Sequence, residues 1–313
     1  MRTRVFNDMF LVNLLAAGIG LAAPLLIAAL GELYAERSGV LNIGIEGMML
    51  AGAWGGFVAA HFTKNLCVGL LAAIAVGLVL ALLNALLTIS FKVNQVVSGI
   101  AINILTAGMT MYLYRVIFGI PLLPITISPF QKIPLPLLSQ IPYLGDIFFK
   151  HNLMVYLAGV LVLLAYYILY HTSFGLEIRS AGEKPDVVAS AGLNVYRLRY
   201  TGMLISGAMA GLGGAFYSLA YLNVFTNNII SGRGFIAFSA VIFGGWHPVR
   251  IMMATLIFGI ADALSTRILT TGITIIPYEL LLASPYVVTI CATLMLSRKS
   301  VAPASLSIPY EKK

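Results

Sequence analysis

"F-L-V-N-L-L-A-A-G-I-G-L-A-A-P-L-L-I-A-A-L" runs from Phe10 to Leu30 without a single charged side chain. About 20 apolar residues is the length that crosses the hydrocarbon core of a bilayer as a helix. Arg2 and Arg4 precede it, which imitates a secretory signal, but the apolar core of a signal is shorter. Many further apolar runs follow, so the stretch reads as a first membrane helix. The composition agrees. Of 313 residues, 60% are hydrophobic and 10% charged, whereas soluble domains carry about 25% charged residues. Too few charges exist to cover a water-exposed surface of this size, and the class is an all-α polytopic membrane bundle.

Working outward, apolar segments fall near 10–30, 47–61, 66–90, 95–118, 152–170, 200–221, 235–246, 251–271 and 278–296. This predicts about eight or nine membrane segments. The short, glycine-interrupted ones at 47–61 and 235–246 are expected to be broken or re-entrant where they line a cavity. Residues 1–313 read as one membrane domain with two long interruptions. The first, 119–152, is proline-rich, which forbids a continuous helix, and poor in basic residues; it reads as an extracytoplasmic cap. The second, 171–199, holds Arg179, Lys184, Arg197 and Arg199, which the positive-inside rule assigns to the cytoplasm. Arg298, Lys299, Lys312 and Lys313 assign the C-terminal tail there too. Arg2 and Arg4 favour a cytoplasmic N-terminus, while counting crossings back from 171–199 favours the opposite side. The net charge of +8 needs no nucleic acid, since cytoplasmic loops of membrane proteins collect Lys and Arg.

Beyond Leu30 comes "E-R-S-G-V-L-N-I-G-I-E-G-M-M-L-A-G-A", Glu36 to Ala53, polar and glycine-rich between two apolar stretches. A charge at the bilayer centre costs roughly 2.5–3.5 kcal/mol on insertion scales. Polar residues at membrane depth therefore face protein or a water-filled path, and often serve transport. The candidates are Glu36, Arg37, Asn42, Glu46, Asn84, Asn94, Gln95, Asn103, Ser206, Asp262 and Arg267. Bland roles compete with this one. Glu36–Arg37 would suit an interfacial segment end. Glu46 would suit the N-terminus of the next helix, stabilised by its dipole. Asp262 lies five residues before Arg267, outside good helical pairing, and could pair with another helix. "S-G-A-M-A-G-L-G-G-A", Ser206 to Ala215, suits close helix–helix contact. A faint echo links the stretch from Ser38 to "S-G-R-G-F-I-A-F-S-A-V-I-F-G-G-W" from Ser231, no stronger than chance would give.

No catalytic constellation stands out. The four histidines are scattered, no Gly-Lys pair exists for a P-loop, and Cys67 and Cys291 sit in apolar runs as small buried residues. No metal, cofactor or enzymatic activity is expected.

The stretch "A-G-E-K-P-D-V-V-A-S-A-G-L-N-V-Y-R-L-R-Y", from Ala181, resembles the coupling-loop region of permease subunits from bacterial ABC importers. Matching positions are Gly182, Glu183, Pro185, Ala189, Gly192, Asn194 and Val195, then Ser206-Gly207 and Ala210-Gly211; Val188 departs from the usual alanine. The stretch Glu36–Ala53, above all "N-I-G-I-E-G-M-M", is similar to the nucleoside branch of the branched-chain amino acid, simple-sugar and nucleoside permeases. "G-R-G-F-I-A-F-S-A-V-I-F-G-G-W-H-P" and "P-Y-E-L-L-L-A-S-P-Y" agree, and the length is similar to the shorter of the two permeases such systems pair.

The resemblance implies a multi-pass subunit of the bacterial inner membrane. It would form a nucleoside pathway with a second permease, surrounded by lipid. A separate ATP-binding subunit would dock on 171–199, where Gly182 and Pro185 set the turn and Glu183, Lys184 and Asp186 present charge, with Ala189 and Gly192 in the same motif. An extracytoplasmic binding protein would deliver solute at 119–152. Pathway candidates are Asn42, Glu46, Asn94, Gln95, Asn103, Ser206 and Asp262, with residues 36–47 as a broken segment. The alternatives are a simple-sugar permease, or an ion-coupled transporter using Glu46, Asp262 and Glu279 as relays.

Overall fold

The computed structural model describes residues 8–270 and 301–311, with Val287 and Ile290 between them. The apolar run at 278–296, Glu279, Cys291 and the terminal Arg and Lys residues otherwise lie outside the described residues.

The chain is a helical bundle. Helix α1 spans Asp8–Arg37 and α2 Ile45–Thr63. Helices α3 (Leu66–Ala85, extended by a π-turn at Leu86–Ser90) and α4 (Gln95–Phe118) follow. After the cap come α6 (Leu153–His171), the short pair α7 (Ser173–Glu183) and α8 (Pro185–Ser190), and α9 (Val195–Phe216), which ends in a π-turn at Tyr217–Tyr221. Helices α10 (Arg233–Phe243) and α11 (Pro248–Thr270) complete the set. Polar side chains start half of these helices. Asn65, Asn94, Asn152, Thr172 and Asn194 each accept a hydrogen bond from a first-turn backbone N–H, which satisfies donors that a helix leaves open.

Among the described residues, six helices are long and apolar enough to cross a membrane: Phe10–Arg37, Leu66–Ser90, Gln95–Phe118, Leu153–His171, Val195–Tyr221 and Pro248–Leu269. Helix α10, with 11 residues, is too short, and α2 is glycine-rich and carries Glu46 and His61. The expected break at 36–47 begins later. Glu36 and Arg37 finish α1, and the chain leaves helix only between Ser38 and Gly44. There it hooks back: the Ser38 and Val40 N–H groups donate to Ala35 O, and Gly39 takes φ +92°. A left-handed φ suits glycine because it has no Cβ to clash.

Helix α9 is the hub. The best apolar window of Val195–Tyr221 is 72% buried, against 28% in Leu66–Ser90. Its small residues permit this. A Cβ at Gly207 would strike Ala81 and the Gly77 carbonyl, and one at Gly214 would strike the Met49 backbone. Helices in lipid gain little from hydrophobic burial and associate through such close packing.

The 119–152 cap is ordered but not wholly helical. Strands β1 (Lys132–Pro134) and β2 (Lys150–Asn152) pair antiparallel with Ile133 opposite His151, around helix α5 (Leu144–Phe148). Cys67 proves exposed, because it lies in the first turn of α3 rather than inside the bundle.

Candidate functional site

The hook carries polar side chains into the centre of the bundle. Glu32 in α1, fully buried, accepts from the Asn42 N–H (2.9 Å) and from the Ser206 hydroxyl of α9 (2.9 Å). The Asn42 amide donates to Ser206 Oγ (2.9 Å), and its oxygen accepts from the Asn84 amide of α3 (3.0 Å). Asn84 in turn accepts from Ser98 of α4 (2.7 Å). Gln95 accepts from the Leu41 N–H (2.7 Å). Asn103 staples the break: it accepts from the Gly47 N–H (2.8 Å) and donates to Ile43 O (3.0 Å). A buried polar group costs free energy unless it is paired; apart from the Gln95 Nε2, which has no partner among the described residues, this knot pairs its amides and hydroxyls while tying α1, α3, α4 and α9 to the hook.

A second cluster surrounds the start of α10. Glu46, in the first turn of α2, accepts from the N–H groups of both Gly232 and Gly234 (2.7 Å each). Its carboxylate therefore caps a helix other than its own, where the dipole favours negative charge. Arg233 pairs with Asp262 of α11 (3.0 Å) and lies over the Tyr217 ring in the π-turn of α9 (5.2 Å to the centroid). Asp262 thus pairs with another helix rather than with Arg267 of its own. At the far end of α10, the Trp246 indole donates to Glu36, and the Arg37 guanidinium donates to Trp246 O (2.8 Å). The stretch from Ser231 is therefore held at its start by Glu46, inside the stretch from Ser38, and at its end by Glu36 and Arg37, which immediately precede that stretch.

The structure brings Asn42, Gln95, Asn103 and Ser206 to the hook, and Glu46 and Asp262 to the start of α10. Asn94 is exposed and serves as the cap of α4. Glu32 was absent from the sequence candidates. Its signal is its spacing: it lies four residues before Glu36 on the same face of α1.

The 171–199 stretch is a helical hairpin rather than a loop. Pro185 opens α8 at a position where its missing N–H costs nothing. Glu183, Lys184 and Asp186 are exposed, Ala189 is half-buried, and exposed Gly192 takes φ +82° to turn the chain into α9. Gly182 does not set a turn. It is buried against the hook, where a Cβ would strike Arg37 O and stand 3.2 Å from the Gly39 nitrogen. Among the described residues no three His, Cys, Asp or Glu side chains gather as a metal site.

Residues 14–295 match the family described as "Branched-chain amino acid transport system / permease component". The chain belongs to this family of membrane permeases. It is 41% identical to the guanosine ABC transporter permease protein NupQ of Bacillus subtilis, over 93% of this chain and 94% of that one. It is 39% identical to a putative glucose ABC transporter permease protein of Haloferax volcanii, over 82% of this chain and 78% of that one. It is 34% identical to the nucleoside ABC transporter permease protein NupC of Lactococcus lactis, over 93% and 94%. No solved structure matches. As a family member it is a multi-pass inner-membrane permease and not an enzyme.

Proposed function

We propose that this chain is the permease subunit of an ATP-driven nucleoside importer, paired with a second permease, an ATP-binding subunit and an extracytoplasmic binding protein. The observation that carries the transport reading is the meeting of two interrupted segments. Glu46, just after the hook, holds the start of α10, and Glu36 and Arg37, just before it, hold its end. Paired broken segments inside a bundle mark a solute pathway. The side chains offered there are mostly amides and hydroxyls, which donate to and accept from an uncharged polar solute. Nucleosides are favoured because relatives named for guanosine and nucleosides match over 93% of the chain. The glucose relative keeps a sugar as the second reading.

The pathway residues are assigned as Asn42, Glu46, Gln95, Asn103, Ser206 and Asp262, with Asn94 holding the start of α4. Helices α2 and α10 are read as two additional membrane segments beside the six long ones, and 278–296 as a ninth. Helix α1 then crosses once. Its early residue Asn13 shares a cavity of about 650 Å³ with Lys132 and Lys150 of the cap, while Arg37 touches Gly182 of the hairpin. The cap is accordingly extracytoplasmic and the hairpin cytoplasmic. The hairpin suits ATPase docking: Leu176 and Val187 are 58% and 59% exposed there, beside the charges of Glu183, Lys184 and Asp186, and exposed apolar side chains rimmed by charge mark interaction sites.

The test is radiolabelled uptake in cells lacking their own nucleoside carriers, with and without each component, competed by guanosine, uridine, ribose, glucose and leucine. Uptake that needs every component and is blocked by nucleosides alone is expected. Blockade by the sugars alone moves the chain to the second reading. Uptake without the ATPase overturns the assignment.

A further inference from the structure

Residues 301–311, after the last apolar run, have no regular secondary structure, yet their interactions reach four other elements. Two of them, Ser305 and Tyr310, are buried, at 6% and 8% exposure. The Ser305 N–H donates to Gly182 O (2.8 Å), and its hydroxyl lies within donating distance of the Gly182 and Ala181 carbonyls (2.7 and 3.1 Å). These are last-turn carbonyls of α7, which a helix leaves without partners. The Ser307 N–H donates to Gly39 O in the hook (3.2 Å). The Tyr196 hydroxyl of α9 donates to Tyr310 O (3.2 Å), with the two rings edge to face at 5.4 Å. Glu311 pairs with Lys92 in the α3–α4 connection (2.7 Å).

Arg199 sits at the centre. It is 2% exposed, donates to Ile308 O (2.8 Å), and reaches Ser305 Oγ at 3.5 Å. No carboxylate pairs with it among the described residues. A buried guanidinium without a counter-ion depends on whatever acceptors it has, and here the tail supplies them. The fit leaves no slack. A Cβ at Gly39 would come within 2.8 Å of Ser305 Oγ and 3.0 Å of Arg199 Nη2.

We propose that residues 304–311 are a coupling latch, which binds α7 of the hairpin, the hook after α1 and the start of α9 into one unit, with Arg199 and Ser305 as its positioning residues. A displacement of the hairpin by the ATPase then moves the hook, and with it Asn42 and the polar knot. Without the latch, the packing of Gly182 against Arg37 and Gly39 still joins the hairpin to the hook, but the hydrogen bonds that tie the two together are lost and the coupling weakens. The inference rests on the hairpin being the ATPase dock.

The experiment reconstitutes the whole importer in proteoliposomes and measures solute imported per ATP hydrolysed. Ser305→Ala and Arg199→Gln should assemble with the ATPase and hydrolyse ATP, while the ratio falls about tenfold, in the range of ordinary coupling free energies. Ser305→Thr keeps the hydroxyl and should restore it. Tyr196→Phe, which keeps the ring contact and removes only the hydroxyl donor, should lower the ratio less and serves where Arg199→Gln does not accumulate. Simple destabilisation changes the amount of complex, not this ratio. A wild-type ratio in Ser305→Ala and Tyr196→Phe overturns the latch. Asp186→Lys and Val187→Asp separate the two claims. If they leave ATPase assembly intact, the dock reading fails and the latch with it. If they abolish assembly while Ser305→Ala keeps the wild-type ratio, only the latch fails.

Discussion

The end of the bundle that holds α7 and α8 differs in construction from the end that holds residues 119–152. At the first, glycines are pressed against backbone. Gly182 meets Arg37 and Gly39, and Gly202 meets the Tyr34 carbonyl and Ser38. Charged residues such as Arg199 and Glu36 are buried there and held by hydrogen bonds. At the second, Ile120, Leu122, Leu123 and Leu137 are all more than three-quarters exposed, Gly119 has nothing near it, and three-residue strands hold the cap together. Packed interiors transmit displacement because they are bistable rather than continuously deformable. Exposed apolar surface waits for a partner. The difference fits a machine that is pushed at one end and loaded at the other.

The sharpest way to break this contrast is Gly182→Ala. The added methyl must displace the Arg37 carbonyl, and backbone cannot swing aside as a side chain would. A cost of about 3 kcal/mol is expected, at the upper end for overpacking. Gly159→Ala, where a Cβ would meet nothing within 4 Å, should cost nothing and gain helix propensity. The melting temperature of the detergent-solubilised chain separates them. Equal melting temperatures would refute the tight packing assigned to the hairpin end.

Asn42→Ala comes next. It removes a donor to Ser206 and an acceptor for Asn84, whose amide keeps only a distant Met203 sulfur at 3.9 Å. Interhelical hydrogen bonds in membranes average only about 0.6 kcal/mol, but an orphaned buried amide adds about 1 kcal/mol or more. About 2 kcal/mol is expected, with uptake lost at matched expression. Uptake at the wild-type rate would remove Asn42 from the pathway.

Much of this was legible in the sequence, and the gaps have physical reasons. Among the described residues the long apolar runs became helices, α1 running seven residues past its apolar core to Arg37, and the small-residue run Ser206–Ala215 became the close contact its composition demanded. The polar residues around Asn42 were recognisable because charge and amide are costly in hydrocarbon. Which of them pair with one another was not. Glu32 lay in the shadow of the apolar run and was missed; its spacing from Glu36 is the one signal it carries. Trp246 acts through one indole N–H contributed from 210 positions away, which no local pattern announces. The tail "V-A-P-A-S-L-S-I-P-Y-E" has neither helical nor strand period, because its hydrogen bonds go to other elements.

Between the two ends lies the Arg233–Asp262 pair, 24% and 20% exposed at the side chains. Removing one partner of a fully buried pair costs about 3–5 kcal/mol. The partial exposure of the pair and the Tyr217 ring reduce the expectation for Asp262→Ala to about 1–2 kcal/mol. Folding should survive and uptake should fall. Exchanging the charges, Arg233→Asp with Asp262→Arg, should recover folding but not uptake if Asp262 faces the solute. Full recovery of uptake would make the pair purely structural.

The mildest effect belongs to the cap, where His151 titrates. Its ring is held within 2.7 Å of Ile147 O, and its backbone lies at the centre of β2. Burial pushes its pKa below the ordinary 6.5, Lys132 nearby pushes the same way, and the bond to Ile147 opposes them. The sign follows from which form binds protons more readily. As pH falls below 6.5 the opened cap takes up the proton first, so folding of the cap is complete above 6.5 and weakens as pH falls through the depressed value. Protection from hydrogen exchange across 132–152, taken relative to the intrinsic amide rate at each pH, should therefore fall on acidification, while that of the hook at 36–47 stays unchanged. His151→Gln should remove the pH dependence from the cap. Loss of protection at both ends together would mean that the cap and the hook open as one unit, and the contrast between a yielding end and a transmitting end would not stand.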